Sequence, residues 1–558
     1  MGMVRIDLLP EGTSIEADSE TPLIDLLKEN GILLNLPCGG EGRCGKCIVK
    51  VAPKGAPSSA GLPYAMVPGD DERRFLSDKS LESGLRLACR VIVTADIEVT
   101  IPPSSRLAGA GRAWEGMDVA GLGEEQRAGG LFLAVDVGTT SIAAAVVGGR
   151  DAATGATGGI IAHASALNPQ TTFGADVISR INAVSKDEKA LEHQKQLVLD
   201  AVNGLIDKLT ANLSVEPIEI KGAAFAGNPT MEHLLLGINP IPIAHAPFTP
   251  AFTKAVRKSA KVLGLNIDPD GEAYVFPVIS GYVGGDTLAF VWSSRIHESK
   301  DIILGIDIGT NGEIVLGNKD RLLSCSAAAG PAFEGSQIRD GMRADFGAIE
   351  GVVIKGDKVM LKVKGDNGGG AHKTPTGICG SGIFDAVDQL IKAKVVGESG
   401  RIQKGIASKR LSERIKKSGS VTEFVLHEDI GKNGRSIGIT QKDIREVQLA
   451  KGAIRSGAEI LLAEMGIGWG EIKTVLIAGA FGNFLKPESI VGVGLLPKVI
   501  RDRIRFVGDA ALTGAVEAVV DTAAREGIEK LAESIDYIEL SSDKRFNDIF
   551  IERLSFSD

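Results

Sequence analysis

The chain has 558 residues, of which 44% are hydrophobic and 24% charged, and its formal net charge is −9 at pH 7. This length predicts about three or four domains, and the acidic balance argues against a protein that binds nucleic acid or a membrane surface. The sequence contains no run of about 18 uncharged apolar residues that could span a membrane. Six cysteines in so long a chain do not make a secreted disulfide scaffold, so we expect a cytoplasmic, reducing location.

Residues 1–101 alternate short strand patterns with a clear helix pattern. VRIDLL and TSIEA predict two strands around the turn PEG. TPLIDLLKENG predicts a helix with Thr21 as its cap, Pro22 at its first position and Gly31 after its end. PGDDERRFLSDKSLESG predicts another helix, and LRLACRVIVTADIEVTIP predicts a pair of strands. This arrangement is typical of a small β-grasp domain of the α+β class.

Four cysteines of this first domain have the spacing of metal ligands. Cys38, Cys44 and Cys47 lie within ten residues, with four glycines between them, and Cys89 follows after another 41 residues. Four thiolates suit either zinc or an iron–sulfur cluster, although a zinc ribbon would usually have a second C-x2-C pair. The glycines would let the loop wrap a cluster and direct backbone N–H groups at its sulfurs.

The rest of the chain contains a linker and an internal repeat. Residues 102–130 are rich in Gly, Ala and Ser and lack apolar periodicity, which predicts a flexible linker. LAVDVGTT and LGIDIGTN each place Asp-x-Gly-Thr after an apolar strand, and Asp136 and Asp307 are 171 residues apart. Each copy begins a segment of alternating strands and helices. The repeat therefore predicts two related α/β domains, residues 131–300 and 301–558.

The chemistry of the repeated hairpins suits a nucleotide triphosphate. A tight Gly turn offers backbone N–H groups and Thr hydroxyls to phosphate oxygens, and an Asp at the strand end suits a hydrated Mg²⁺. Two such hairpins facing each other would hold the ligand between domains. The candidate residues are Asp136, Gly138, Thr139, Thr140, Asp307, Gly309, Thr310 and Asn311. Further glycine turns that suit a ligand are Gly380, Ser381 and Gly382, and Gly479 with Gly482.

Two carboxylates are candidates for orienting an attacking water. Asp286 lies in the Gly-rich segment SGYVGGDTLAF, and Glu334 lies in GPAFEG. Phosphoryl transfer to water needs such a group near the terminal phosphate. Helix capping or a loop salt bridge is the alternative for each residue, and the sequence does not choose between them.

The motif PCGGEGRCGKC followed by RLAC resembles the [2Fe–2S] ferredoxins with C-x5-C-x2-C spacing, over about the first 100 residues. This resemblance implies that Cys38, Cys44, Cys47 and Cys89 ligate the cluster. The paired hairpins resemble the actin-like ATPase superfamily, whose domains have an RNase H-like fold. This second resemblance implies that phosphates and adenosine are contacted by Asp136–Thr140, Asp307–Asn311 and Gly479–Gly482.

The combination resembles one family, the reductive activators of corrinoid proteins, which also share motifs such as FAGNPTMEHLLLGINP, ISGYVGGDT and TGICGSGIFDAV. This implies an ATPase that uses a [2Fe–2S] cluster and ATP with Mg²⁺. It would pass one electron from a low-potential donor to the cob(II)alamin-type cofactor of a corrinoid protein, restoring cobalt(I). A redox-sensing scaffold without turnover and an activator of another low-potential enzyme are the alternatives. The oligomeric state, including a homodimer, stays open.

Overall fold

The structure of the protein is a computed structural model. It describes residues 3–9, 12–30, 32, 34, 36, 38–54, 68–102, 105, 129–149, 159–335, 337–344, 346–365, 374–403, 405, 408–419, 421–428, 436–479 and 485–557. Gly482 and most of the predicted linker 102–130 lie outside these residues.

The N-terminal unit is built on a five-stranded sheet. Its elements are β1 Met3–Leu9, β2 Thr13–Asp18, β3 Thr21–Pro22, α1 Leu23–Glu29, β4 Ile48–Pro53, α2 Asp70–Arg73, α3 Asp78–Glu82, β5 Leu85–Leu87, β6 Ile92–Val93 and β7 Ile97–Thr100. The sheet order is β2-β1-β7-β4-β5, with β1 antiparallel to β2 and parallel to β7. Helix α1 buries four apolar side chains in the core of the unit. The β-grasp prediction is confirmed.

Three local predictions in this unit are wrong. Thr21 does not cap the helix: it pairs with Val93 in a short ladder, and the helix begins at Leu23 after Pro22. The ladder satisfies the backbone there, since the Leu23 N–H donates to the Val91 carbonyl at 2.9 Å. The helix ends at Glu29 with Asn30 as its cap, and Gly31 lies outside the described residues.

The other two wrong predictions concern the second half of the unit. The segment expected to form one helix forms two, α2 and α3. Strands β5 and β7, expected to pair with each other, both pair with β4, which lies between them. Local patterns predict the strands, whereas the partner of each strand depends on the whole sheet.

A six-stranded sheet follows in residues 131–300. Its strands are β8 Leu131–Val137, β9 Ser141–Gly148, β10 Ile160–Leu167, β11 Ile220–Gly227, β12 Val256–Ser259 and β13 Glu272–Val275. Its helices are α4 Val177–Lys186, α5 Lys189–Leu213, α6 Pro229–Leu236, α7 Ala260–Leu263 and α8 Gly285–Ser293. The strand order is β10-β9-β8-β11-β13-β12.

The last part of the chain has a second six-stranded sheet and two three-stranded sheets. The strands are β14 Ile303–Ile308, β15 Gly312–Gly317, β16 Leu322–Ala327, β17 Ala348–Lys355, β18 Lys358–Val363, β19 Gly377–Ile378, β20 Ile415–Ser418, β21 Val421–Glu428, β22 Ser436–Thr440, β23 Thr474–Ala478, β24 Ile504–Gly508 and β25 Ile535–Tyr537. The helices are α9 Gly380–Lys392, α10 Lys409–Glu413, α11 Gln441–Met465, α12 Pro487–Gly492, α13 Ala510–Val520, α14 Thr522–Ser534 and α15 Lys544–Arg553. The large sheet has the order β24-β23-β14-β15-β16-β25.

The two large sheets share an arrangement of five strands and differ in the sixth, because β12 pairs antiparallel with β13 at one edge of the first sheet, whereas β25 pairs parallel with β16 at the opposite edge of the second. In each, three antiparallel strands (β8 to β10, β14 to β16) are followed by a strand, β11 or β23, that lies parallel to the first. This repetition of an RNase H-like pattern agrees with the duplicated motif. The first strands therefore end at equivalent places, each with an Asp at its carboxyl end.

The core between the sheets belongs to both halves of the chain. Helices α8 and α13 pack against each other, and one hydrophobic cluster joins Ala224 of β11, Phe290 of α8, Ala515 of α13 and Leu476 of β23. Residues after 510 thus complete the packing of the sheet formed by residues 131–300. The limits 131–300 and 301–558 stay a prediction. No helix in the described part of the chain is long and apolar enough to cross a bilayer.

Candidate functional site

The four predicted ligand cysteines lie together as two pairs. Cys47 precedes β4 and Cys89 follows β5, and these neighbouring strands bring the two sulfurs to 3.4 Å. Cys38 and Cys44 form the other pair, joined by a hydrogen bond between their thiols. Among the described residues, no three His, Cys, Asp or Glu side chains are arranged to hold a metal ion. Two cysteine pairs suit a two-iron cluster with two thiolates per iron better than a single zinc.

The cysteine loop directs hydrogen-bond donors at the sulfurs. The Cys44 thiol and the backbone N–H groups of Gly40, Arg43 and Cys44 donate to Cys38 and, against the opposing effect of burial, lower its pKa to about 5. The Cys47 thiol donates to Cys89 and lowers its pKa against the effect of burial, with smaller contributions from the Arg90 charge and the N–H of Gly42. Such donors stabilise the thiolate, which is the form that binds iron.

The glycines of the loop are required by its backbone. Gly39, Gly40, Gly42 and Gly45 have φ angles of 63°, 89°, 73° and 67°, a region that favours glycine. A Cβ on Gly45 would also lie 2.6 Å from the Phe75 ring. The loop therefore has the conformation expected of a chain that wraps a cluster.

The two Asp-x-Gly-Thr hairpins meet at one carboxylate. Glu334, at the end of the short 3₁₀ turn Pro331–Glu334, is buried and accepts hydrogen bonds from the hydroxyls of Thr140 and Thr310. The Thr310 bond is 2.7 Å long. The hairpins therefore face each other, and Glu334 lies between their tips.

Four aspartates gather below these tips. Burial raises the pKa of Asp136 well above its ordinary value, and the charges of Asp509, Asp286 and Asp307 raise it further. Burial likewise raises the pKa of Asp286 to about 6 and that of Asp307 to about 7, the latter helped by the charges of Asp286 and Asp509. The aspartates are near enough to repel one another, but no three of the described carboxylates are arranged as a complete metal site.

The other predicted nucleotide contacts divide into those near the hairpins and those elsewhere. Gly479, with a φ of 99°, follows β23, and a Cβ there would lie 2.8 Å from Asp307 Oδ1. Gly482 lies outside the described residues. Gly380, Ser381 and Gly382 instead form the first turn of helix α9 and pack on β17, where the Ser381 hydroxyl donates to the Glu350 carbonyl at 3.0 Å. That packing explains the turn, and its role in ligand binding stays a prediction.

The first hairpin is held from outside by polar residues for which the sequence gives no signal. Asn228 donates to the Thr139 hydroxyl at 2.9 Å, and the fully buried Arg180 donates to the Thr139 carbonyl. Asp509 joins the acidic group while capping α13. An Asp before a helix is such a common capping pattern that it gave no signal of a site.

Family models match almost the whole chain. The model of the 2Fe-2S iron-sulfur cluster binding domain matches residues 6–94, that of the RACo middle region residues 131–299, and that of the C-terminal domain of RACo, the ASKHA domain, residues 301–558. The zinc alternative is therefore not supported for the first domain.

Full-length similarity points to the same family. Corrinoid activation enzyme RamQ of Eubacterium limosum is 30% identical over 603 residues, which cover 100% of this chain and 99% of the relative. The Co(II) methylated amine-specific corrinoid protein reductase of Methanosarcina barkeri is 27% identical over 53% of this chain and 54% of its own. A solved reductive activator for corrinoid, iron-sulfur protein shares 30% identity at a TM-score of 0.68, covering 99% of this chain and 98% of the other. The chain therefore belongs to the family of reductive activators of corrinoid proteins.

Proposed function

We propose that the protein is an ATP-dependent reductive activator acting in the cytoplasm. It passes one electron from a [2Fe–2S] cluster to the inactive cob(II)alamin-type cofactor of a corrinoid protein and so restores cobalt(I). The observation that carries this proposal is the full-length similarity to a corrinoid activation enzyme, in a chain that combines a cysteine cage with two facing phosphate-type hairpins.

The electron-carrying end is the cage of Cys38, Cys44, Cys47 and Cys89. A [2Fe–2S] cluster, when bound, takes up and releases a single electron. The two cysteine pairs supply two thiolates for each iron, and the surrounding N–H groups stabilise their negative charge. A low-potential electron donor must reload this end after each transfer.

The nucleotide end is the cleft between the hairpins. The hydroxyls of Thr140 and Thr310 and the N–H groups of both turns would bind the β- and γ-phosphates, and Asp136 and Asp307 would hold the hydrated Mg²⁺. Glu334 supports a water-orienting role, because it is buried between the two threonines and burial raises its pKa. Water would add to the γ-phosphorus, the bond to the β-phosphate oxygen would break, and Glu334 would accept the water's proton.

ATP is needed because the electron transfer is energetically uphill. A one-electron couple changes its equilibrium tenfold for about 59 mV, so about 100 mV costs roughly 2.3 kcal/mol. Nucleotide can supply this free energy only if its bound states differ in affinity for the partner. We therefore propose that the two large sheets and their helices dock the corrinoid protein while the N-terminal unit delivers the electron.

The test is a reduction assay with purified components. Protein reduced by titanium(III) is mixed with a corrinoid protein in the cobalt(II) state, and the cobalt(I) absorption is followed with and without ATP. We expect cobalt(I) to appear only with ATP, and not with the Cys38→Ser or Thr140→Ala variants. Nucleotide binding and cluster reduction without any cobalt(I) would instead favour the redox-sensing scaffold.

A further inference from the structure

The cysteine loop of the N-terminal unit lies against the middle of the chain at Phe173. A Cβ on Gly39 would be 2.7 Å from the Phe173 carbonyl oxygen, so backbone meets backbone there. Glu41 accepts from the Lys186 ammonium at 3.3 Å, and the Lys28 ammonium lies 5.2 Å from the centre of the Phe173 ring. One edge of the cysteine cage is therefore covered by residues of the middle of the chain.

Phe173 is held firmly from its own side. Its ring lies nearly perpendicular to the ring of His193, with 5.2 Å between the ring centres. Its N–H donates to the Gln170 carbonyl at 2.8 Å, at the end of the 3₁₀ turn Pro169–Thr172. Asn168 caps this turn by accepting from the Gln170 N–H. The docking contact is thus the far end of a compact segment that begins at Asn168.

The near end of this segment is bonded to the first phosphate-type hairpin. The Asn168 amide donates to the Gly138 carbonyl at 2.9 Å, and its backbone N–H donates to the Thr140 carbonyl at 2.9 Å. Arg180 makes a second connection, since it donates to the Gly174 carbonyl at 3.1 Å and to the hairpin carbonyl of Thr139.

The connecting segment is suited to transmit a movement of the hairpin. Asn168, Gln170 and Arg180 each have 0% exposure, so the segment cannot yield into solvent. The Gly138–Thr140 hairpin has two sides. Its N–H groups and hydroxyls would face a phosphate on one side, and its carbonyls accept bonds from Asn168 and Arg180 on the other. A phosphate that draws the Thr140 hydroxyl away from Glu334 therefore also pulls on the segment that ends at Phe173.

We propose that Phe173 and Lys186 form a docking site for the cysteine loop, and that nucleotide at the Gly138–Thr140 hairpin releases the loop through segment 168–174. The contacts alone support the docking site, whereas the release of the loop by nucleotide rests on the proposed function. Release uncovers the Cys38 edge of the cage for a partner protein. The cysteine loop has two positions, docked or free, and both the docking site and the nucleotide at the hairpin shift the balance between them.

Docking is tested by a zero-length cross-link. A carbodiimide joins an amine to a carboxylate in contact, taking up the water that the new amide bond releases. On the full-length holoprotein we expect a Glu41–Lys186 cross-link by peptide mass spectrometry. Lys221 and Asp268, 3.0 Å apart, serve as the internal positive control. The Lys186→Arg variant keeps the charge but should give no cross-link at this position.

Control by nucleotide is tested in the same samples. Saturating Mg-AMPPNP should lower the Glu41–Lys186 yield at least twofold and leave the Lys221–Asp268 yield unchanged. Asn168→Ala should keep the cross-link and lose its dependence on nucleotide. Phe173→Ala, a change at the docking contact, should lower the yield in both states.

Two results would overturn the proposal in different ways. Docking is refuted if the positive control forms without any Glu41–Lys186 cross-link in either state. The control by nucleotide is refuted if equilibrium dialysis shows bound nucleotide and the yield does not change. If dialysis detects no nucleotide binding, both the control and the proposed ATP-dependent function are contradicted, and only the docking site stands.

Discussion

Replacing Asp307 by Asn tests two properties of the acidic group below the hairpins. The buried charges should lower the free energy of unfolding, and the same charges should help to bind Mg-nucleotide. Burial, with the charges of Asp286 and Asp509, raises the pKa of Asp307 from an ordinary value near 3.8 to about 7. Asparagine has nearly the same shape without the charge. We expect Asp307→Asn to stabilise the protein in the absence of divalent cations, and to weaken the stabilisation that Mg-nucleotide provides.

The magnitude follows from the pKa difference. A shift of about 3 units corresponds to roughly 4 kcal/mol at about 1.4 kcal/mol per unit. Because the folded-state pKa is raised, the carboxyl group destabilises the fold increasingly as pH rises from about 4 to about 7, and by a constant amount above that. The free energy of unfolding of the wild-type protein should therefore fall between about pH 4 and about pH 7. At pH 8, Asp307→Asn should restore up to about 4 kcal/mol of that free energy.

The assay is denaturant unfolding of the holoprotein at pH 6 and pH 8, in one series with a chelator and in a second series with Mg-nucleotide and no chelator. The control is Asp200→Asn in α5, whose carboxylate accepts a bond from its helix neighbour Gln196. We expect a larger gain for Asp307→Asn at pH 8 than at pH 6, and no such difference for the control. Equal or lower stability of Asp307→Asn at pH 8 would show that the buried, mutually repelling carboxylates do not destabilise the fold.

Three further predictions concern the cage and the hairpins. Cys38→Ser should lose the iron and the visible absorption of the cluster, whereas Cys379→Ser, outside the cage, should keep both; equal loss would contradict the assigned ligands. Gly42→Ala should lower the iron content, because φ is 73° and a Cβ would displace the Arg90 guanidinium, which donates to the Glu41 carbonyl of the cysteine loop. Gly12→Ala, with φ of 72° and open space, bears only the backbone cost of about 1–2 kcal/mol. Glu334→Gln should slow ATP hydrolysis by about 10²-fold or more and change nucleotide affinity only a few-fold, measured by phosphate release and dialysis; unchanged turnover would remove Glu334 from the reaction.

The parts of the molecule that sequence predicts well are those in which chemistry and conformation are local. The loop between Cys38 and Cys47 carries its ligands and its glycines within ten residues, so spacing alone indicates both the cage and its backbone. The duplicated Asp-x-Gly-Thr motif likewise predicts the matching hairpins at Asp136 and Asp307, because each is a strand and a turn.

The parts that sequence misses depend on contacts between distant residues. Thr21 has every local feature of a helix cap, but its backbone pairs with Val93, 72 residues away. Glu334 is a candidate from its motif, yet nothing local indicates that it joins Thr140 to Thr310. Arg180 lies in an ordinary helix pattern, and only the folded chain places its guanidinium on the first hairpin. Such groups are set by packing, which no local pattern encodes.

The central claim is that ATP drives one electron from the cysteine cage to a corrinoid protein. A single-turnover experiment measures this most directly: protein with a fully reduced cluster, free of excess reductant, is mixed with a cobalt(II) corrinoid protein and ATP. We expect cluster oxidation and cobalt(I) formation to proceed at the same rate, with one electron per chain, and both to stop without ATP. Cobalt(I) that forms while the cluster stays reduced, or equally fast without ATP, would contradict the claim.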